Sequence, residues 1–290
     1  MARAGLMEGD LHRLQLQEID DNLLFHYTPP TSLEAILKNW TLRLGAYANT
    51  NDPREQKEWR AGFVIPTAGG RPPEQYLRFA RESGDEVDQA TDRLLRRGAR
   101  LGCFAVDRVP LPDAAAGCLF HRGWARARMW QQYAKKHTGA CLAFDRTGLL
   151  EAIDEQLLHH DGDLFFWGRV EYQDQPLTIP LWVPDLVDIG IEKALDDLQT
   201  RKGTAQHLYM TKNTDWESEQ EFRIVVVRSN VPKSEANVPI KIDFQGCLKA
   251  IVLGEHFAGD IATLLGTRTG VDVLRCWWGD GVPLLADGPV

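Results

Sequence analysis

The most constraining stretch of this chain is its first patterned one. The apolar run LLFHY (23–27) passes through a Pro-Pro turn into TPPTSLEAILKN, where Leu33, Ile36 and Leu37 recur at helical spacing. TLRL (41–44) follows, with Leu42 and Leu44 alternating against polar neighbours, so the opening unit reads as strand, helix, strand. No glycine-rich phosphate loop follows the first strand, which disfavours a doubly wound nucleotide-binding fold. Further strands are predicted at LGCFAV (101–106), ACLAFD (140–145), DLFFWGRVEYQD, EFRIVVV, LKAIVLG and VDVLRCWW. Helices are predicted at 74–97, with a break near Ser83 and Gly84, and at 126–136, 147–159, 190–200, 203–211 and 257–265. The Pro-rich QPLTIPLWVPDL reads as a long surface loop. This irregular alternation places the chain in the α+β class. No linker is polar or long enough to divide it, so residues 1–22 are read as an N-terminal extension. Residues 23–290 are read as a single α+β domain that includes a C-terminal strand-helix-strand addition.

Composition narrows the function classes. Hydrophobic residues make up 43% and charged residues 26%, as in ordinary globular proteins. The apolar runs IVVV and LFFW fall far short of the roughly 20 residues a bilayer requires, so no membrane span is expected. Glu8 and Asp10 stand where a secretory signal needs an apolar core, and a cytoplasmic location is expected. Five scattered cysteines without a C-x-x-C fit buried thiols better than disulfides or zinc. A net charge of −8 argues against broad nucleic-acid binding. Between residues 121 and 137, however, Arg122, Arg126, Arg128, Lys135 and Lys136 occur without an acid. That stripe is either a solvated helix face or a surface for an anionic ligand.

Several residues carry candidate chemistry. His26, followed by Tyr27, lies at the end of an apolar strand, where its ring can bond a ligand hydroxyl. In TNDPRE, Asp52 is placed to cap a helix starting at Pro53, which leaves Asn51 and Glu55 for ligand or backbone contacts. Trp130 and Tyr133 stand three apart in MWQQYAKK and are expected on one helix face, either in the core or as a stacking wall with Arg128 nearby for phosphates. Glu219 and Glu221 are two apart before an apolar strand and share a face if the strand has begun there. Arg223 has the same parity and is the natural partner of Glu221. His159, His160, Asp161 and Asp163 do not make a metal site, because adjacent histidines in an extended segment point apart. No metal is expected, and no nucleophile-elbow, zinc-protease or phosphate-loop pattern is present.

Taken in order, FHYTPPTSLEAILKNWTLRL, the NDPRE loop, MWQQYAKKHTGACLAFD, VEY (170–172), the stretch from Lys212 to Arg223 and LKAIVLG resemble the bacterial family called domain of unknown function 2971, over residues 23 to 254. A more distant resemblance is to ADP-ribosyltransferases, which use a first-strand histidine and a late-strand glutamate, here His26 and Glu221. That resemblance implies a mixed split sheet with peripheral helices, and NAD as the substrate. It also implies the roles. Glu221 would stabilise the oxocarbenium formed as the nicotinamide–ribose bond breaks, and His26 would hold a ribose hydroxyl. Tyr133 or Phe104 would stack on nicotinamide, Glu219 would activate the acceptor, and the basic stripe would face pyrophosphate or a nucleic-acid acceptor. The macromolecular acceptor is open between protein and nucleic acid, and a bacterial toxin or antiviral effector is the implied setting. The alternative is a noncatalytic module that senses a nucleotide or nucleic acid in the same pocket.

Overall fold

The computed structural model describes residues 22–67, 69–108, 119–157, 163–201, 203–228, 239–244 and 246–288. Residues 1–21 of the expected N-terminal extension, Cys118, and the segment with His159, His160 and Asp161 lie outside the described residues.

Strands β1 (Leu23–Thr28) and β2 (Thr41–Ala46) flank the helix Pro30–Asn39, which buries the predicted Leu33, Ile36 and Leu37. Pro30 occupies the first turn, where a missing N–H leaves no bond unmade, and Trp40 ends the helix in the left-handed region at φ 55°. The remaining strands are β3 (Gly62–Val64), β4 (Ala99–Ala105), β5 (Ala140–Asp145), β6 (Leu164–Arg169), β7 (Glu171–Tyr172), β8 (Pro180–Trp182), β9 (Thr211–Lys212), β10 (Glu221–Val227), β11 (Ile240–Asp243), β12 (Leu248–Leu253), β13 (Asp272–Gly279) and β14 (Val282–Asp287). The predicted helical stretch 74–97 is divided at Ser83 into Glu74–Glu82 and Gly84–Thr91, and then widens into a π-helical turn at Asp92–Arg96. The Pro-rich segment is not a plain loop: it holds β8, which pairs with β3, and the helix Val183–Asp188. Strands β11 and β14 have no counterpart among the predicted elements.

Ten strands form one mixed sheet, so the α+β class holds. Strand β4 joins its arms, and β10 pairs antiparallel with β4 on one side and with the edge strand β6 on the other. With both faces covered, EFRIVVV reads as a continuous apolar run. Phe222, Ile224 and Val226 face one core with Phe104 and Leu142, while Val225 and Val227 face a second with Leu101 and Tyr209. A third core, on the Val225 side by strand parity, gathers Phe25, Tyr27, Trp124 and Trp130.

The other edge of β4 is shared between two strands. Arg100 and Leu101 pair with β2, whereas Ala105 pairs with Phe25 of β1. Strand β1 leads away through β5 and β12, which runs parallel to β13. Strand β2 leads separately to β11. The sheet therefore parts between β1 and β2, and at Gly102–Phe104 that edge of β4 has no strand partner among the described residues. The part in the sheet positions the candidate site.

Candidate functional site

A cleft of about 290 Å³ opens at this split. Its lining draws on β1 (Phe25, His26, Tyr27), the turn after β2 (Asn49, Thr50, Asn51, Glu55), β4 (Cys103, Phe104), Met129, Tyr133, Lys212 and Glu219, and β10 (Glu221, Arg223). Residues from both ends of the chain thus meet there.

Strand pairing explains the arrangement. Glu221 and Arg223 share a face of β10, and the β4 residues opposite them are Ala105 and Cys103. Gly168 of β6 lies on the other side of Arg223. These small neighbours leave room for a long cation and its carboxylates. Arg223 is fully buried and donates to Glu221 through Nε at 2.9 Å and Nη2 at 3.2 Å, to Glu55 through Nη2, and to the Tyr209 carbonyl at 2.6 Å. Lys212 Nζ lies 2.9 Å from Glu221 and 2.7 Å from Glu219, which also accepts from the Tyr133 hydroxyl at 2.7 Å. Asn51 completes the chain by donating to the Tyr133 oxygen at 2.9 Å.

Glu219 does not lie on the strand. It ends the 3-10 helix Thr214–Glu219, and Gln220 turns through the left-handed region at φ 45° before β10 starts. The two carboxylates converge because of that turn, and Lys212 between them offsets the repulsion expected from an acidic pair. Burial alone would raise the pKa of Glu221, but the charges of Arg223 and Lys212 outweigh it and hold the value at about 2. At Glu55 burial dominates; Arg223 and Lys212 offset it only in part, and the pKa is raised. For Lys212, burial opposes the charge, but the carboxylates led by Glu221 raise its pKa.

His26 reaches the cleft differently from Glu221. Phe25, Ala105 and Glu221 are in register, so they share a face, and strand alternation sends His26 to the other one. His26 and Glu221 nevertheless share the cleft, because the open edge of β4 lies between them. There the Nδ1–H of His26 donates to the Cys103 carbonyl at 3.0 Å, which leaves Nε2 as an acceptor in the neutral ring. Desolvation lowers the pKa of His26 despite that bond, favouring the neutral form.

Other expectations are met unevenly. Asp52 caps its helix as predicted, accepting from Arg54 N–H at 2.9 Å. Tyr27 lines the cleft, with its hydroxyl tied to the Gly123 carbonyl at 2.7 Å. Phe104 is only 1% exposed and packs its ring 5.7 Å from that of His26, so it backs the histidine rather than offering a stacking face. Trp130 does not share the cleft with Tyr133. The helix ends at Gln132, Tyr133 turns toward Glu219, and Trp130 points into the core, stacking on His137 and donating to the Trp124 carbonyl at 2.8 Å.

Nor is the basic stripe one surface. Arg122 is buried in an ion pair with Asp107, and Arg126 bonds the Val106 carbonyl at 2.6 Å. Arg128 lies outside the cleft, bonded to Ser218 Oγ and the Asp215 carbonyl at 3.1 Å each and set over the Trp216 ring. Lys212 and Cys103 were missed as site residues. A lone lysine in YMTKNTD carries no pattern, and its only signal was the counter-charge that two neighbouring carboxylates require. The thiol of Cys103 opens into the cleft; burial and then Glu221 raise its pKa.

A larger groove of about 590 Å³ adjoins the cleft, lined by Arg54, Lys57, Arg60, Gln175, Asn213 and Trp216 among others. Lys212 lies over the Trp216 ring at 4.8 Å and so links the two hollows. Among the described residues no cluster of His, Cys, Asp or Glu is arranged for a metal, and no helix is long and apolar enough to cross a membrane.

Searches of the curated proteins and of the solved structures found no match to this chain. Over residues 129–224 the chain matches the family model described as "Protein of unknown function (DUF2971)", the family its sequence resembles, and this stretch carries Tyr133, Lys212, Glu219, Glu221 and Arg223 from one side of the cleft.

Proposed function

We propose that the cleft is the donor site of an NAD-dependent ADP-ribosyltransferase. The observation that carries this reading is the convergence of His26, Tyr133 and Glu221 on one cleft from β1, the segment after Gln132 and β10. A cleft of about 290 Å³ is close to the lower end of ligand pockets, ~300 Å³, and suits a nicotinamide–ribose unit better than a whole dinucleotide. Cleavage of the nicotinamide–ribose bond builds positive charge on the ribose, and a buried acidic wall stabilises that charge better than water does. Glu221, held ionised, serves this role; neutral His26 accepts a ribose hydroxyl at Nε2; Tyr133 flanks the ring. Glu219, coupled to Tyr133, is set to draw a proton from the acceptor, for which the adjoining groove offers space.

The test is release of nicotinamide and transfer of label from NAD in the presence of cell lysate. Glu221→Gln should reduce both by at least about a hundredfold, the scale for loss of an electrostatic stabiliser. Unchanged transfer by that variant would remove Glu221 from the mechanism. One observation favours a second reading, a noncatalytic nucleotide sensor: both oxygens of Glu221 are already engaged by Arg223 and Lys212. Saturable binding of NAD without nicotinamide release would select it.

A further inference from the structure

Three carboxylates in the cleft, Glu55, Glu219 and Glu221, face two cations, Lys212 and Arg223, and no side chain among them is more than 4% exposed. With all five ionised, the cluster has one surplus negative charge away from water, and an uncompensated buried ion costs several kcal/mol. The bonding shows where the surplus resides. Both oxygens of Glu219 accept, from Tyr133 and Lys212, and both oxygens of Glu221 accept, from Arg223. Glu55 turns Oε1 toward Arg223; its Oε2 is met by no cation among the described residues and has only the Thr50 hydroxyl beside it, and both residues line the cleft.

We propose that the cleft takes its ligand by a cationic group seated against Glu55 and Thr50, and so selects a cation over its neutral isostere. An organic cation fits better than a metal ion, since no metal-type cluster exists among the described residues and the walls include Tyr133, Met129 and Phe25. In the free protein a proton is the competitor for the same Glu55 carboxylate. The groups facing it are Arg223, Lys212 and Glu221, with Thr50 and Tyr47 from the turn after β2. Burial raises its pKa beyond what Arg223 and Lys212 offset. Cation binding and protonation of Glu55 therefore exclude one another, and affinity falls as pH drops through the raised pKa of Glu55.

This inference rests on the cleft being the ligand site and deepens the proposed function, because the pyridinium of NAD is cationic and the dihydropyridine of NADH is neutral. It does not depend on transfer. Calorimetry on the full chain would compare two matched pairs, NAD with NADH and benzamidinium with benzamide, near neutral pH. The cation of each pair should bind at least about tenfold more tightly, a difference of about 1.4 kcal/mol. Glu55→Gln should bring both ratios close to one. Cation affinity of the unaltered protein should fall as the pH is lowered from neutral while that of the neutral isosteres does not, so the proposal stays testable if the variant does not fold.

Equal affinity within both pairs, retained selectivity in Glu55→Gln, cation affinity that does not fall with pH, or no binding of any probe would each overturn it. Selectivity without nicotinamide release sinks the transferase reading alone. Release without selectivity sinks this inference alone.

Discussion

Two buried charge clusters stand close together in this molecule, and they solve the same problem in opposite ways. Asp92, 7% exposed, accepts from Trp59 N at 3.2 Å, from Arg96 Nε at 2.5 Å and Nη2 at 3.0 Å, and from Arg97 Nε at 2.8 Å. Burial works against its charge, but the bonds from Arg96 and the Trp59 amide more than compensate, and its pKa is lowered. The surplus in this cluster is a cation, Arg97, whose side chain is 47% exposed and reaches water. In the cleft the surplus is an anion, buried and with one oxygen that no cation among the described residues meets. Burial of charge therefore does not separate the two clusters. The unmet acceptor does: the Asp92 cluster is complete as structure, and the cleft cluster is complete only with a proton or a ligand.

Removal of the central cation is the strongest way to break that comparison. Arg223→Met leaves Glu55 and Glu221 without their shared partner and should destabilise the protein by about 3–5 kcal/mol, read from the urea midpoint. A loss under about 1 kcal/mol would show that the cluster does not hold β10 in place.

Acid should separate the two kinds of carboxylate next. Glu221 titrates near 2 in the fold and at about 4.3 when unfolded, so it contributes about 3 kcal/mol that is fully present above 4.3 and is lost as pH falls toward 2. Asp92 has the same sign. Glu55, with a raised pKa, has the opposite one: its penalty applies above its folded pKa and is relieved as pH falls from there to about 4.3. Stability should therefore rise and then fall on acidification. Glu55→Gln should remove the rise and leave the fall, as measured by urea unfolding between pH 3 and 8. A rise that persists in the variant would place the protonating group elsewhere.

The Tyr133 hydroxyl, bonded within the cleft cluster alone, is the subtler probe. Tyr133→Phe removes the bond to Glu219 and the one from Asn51, and should cost about 1–2 kcal/mol of stability. It should weaken the binding of benzamidinium and benzamide alike, because the ring wall loosens while Glu55 is untouched.

The legible part of this fold was periodic. The helix Pro30–Asn39 and strands β5, β10 and β12 announce themselves through apolar spacing, and Asp52 through its place before Pro53. Strand β11 was not legible because IKID alternates over only four residues and gains its meaning from pairing with β2. The cleft was half legible. Tyr133 and Glu221 stand out as residue types in patterned segments, but Trp130 looked equally eligible until the helix was seen to stop at Gln132. Lys212 and the open edge of β4 exist as site features only in three dimensions, since they depend on which strands flank β4.

The smallest expected effect concerns how each cluster is assembled. Asp92 and Arg96 are four apart on one π-helical turn and meet without any residue in the left-handed region. Glu219 and Glu221 both reach Lys212 only because Gln220 adopts φ 45° and ψ 58°, a conformation that costs a non-glycine residue about 1 kcal/mol or more. The neighbourhood holds it there: Gln220 O accepts from Val106 N at 3.0 Å, and its side chain donates to the Glu217 carbonyl at 2.9 Å. Gln220→Gly relieves the steric cost but loses that side-chain bond and frees the unfolded chain, so stability should change by less than about 1 kcal/mol. Gln220→Val cannot accept the conformation as readily and should lose about 1–2 kcal/mol. If valine were tolerated as well as glycine, the convergence of the two carboxylates would not depend on this turn, and Lys212 alone would have to draw them together.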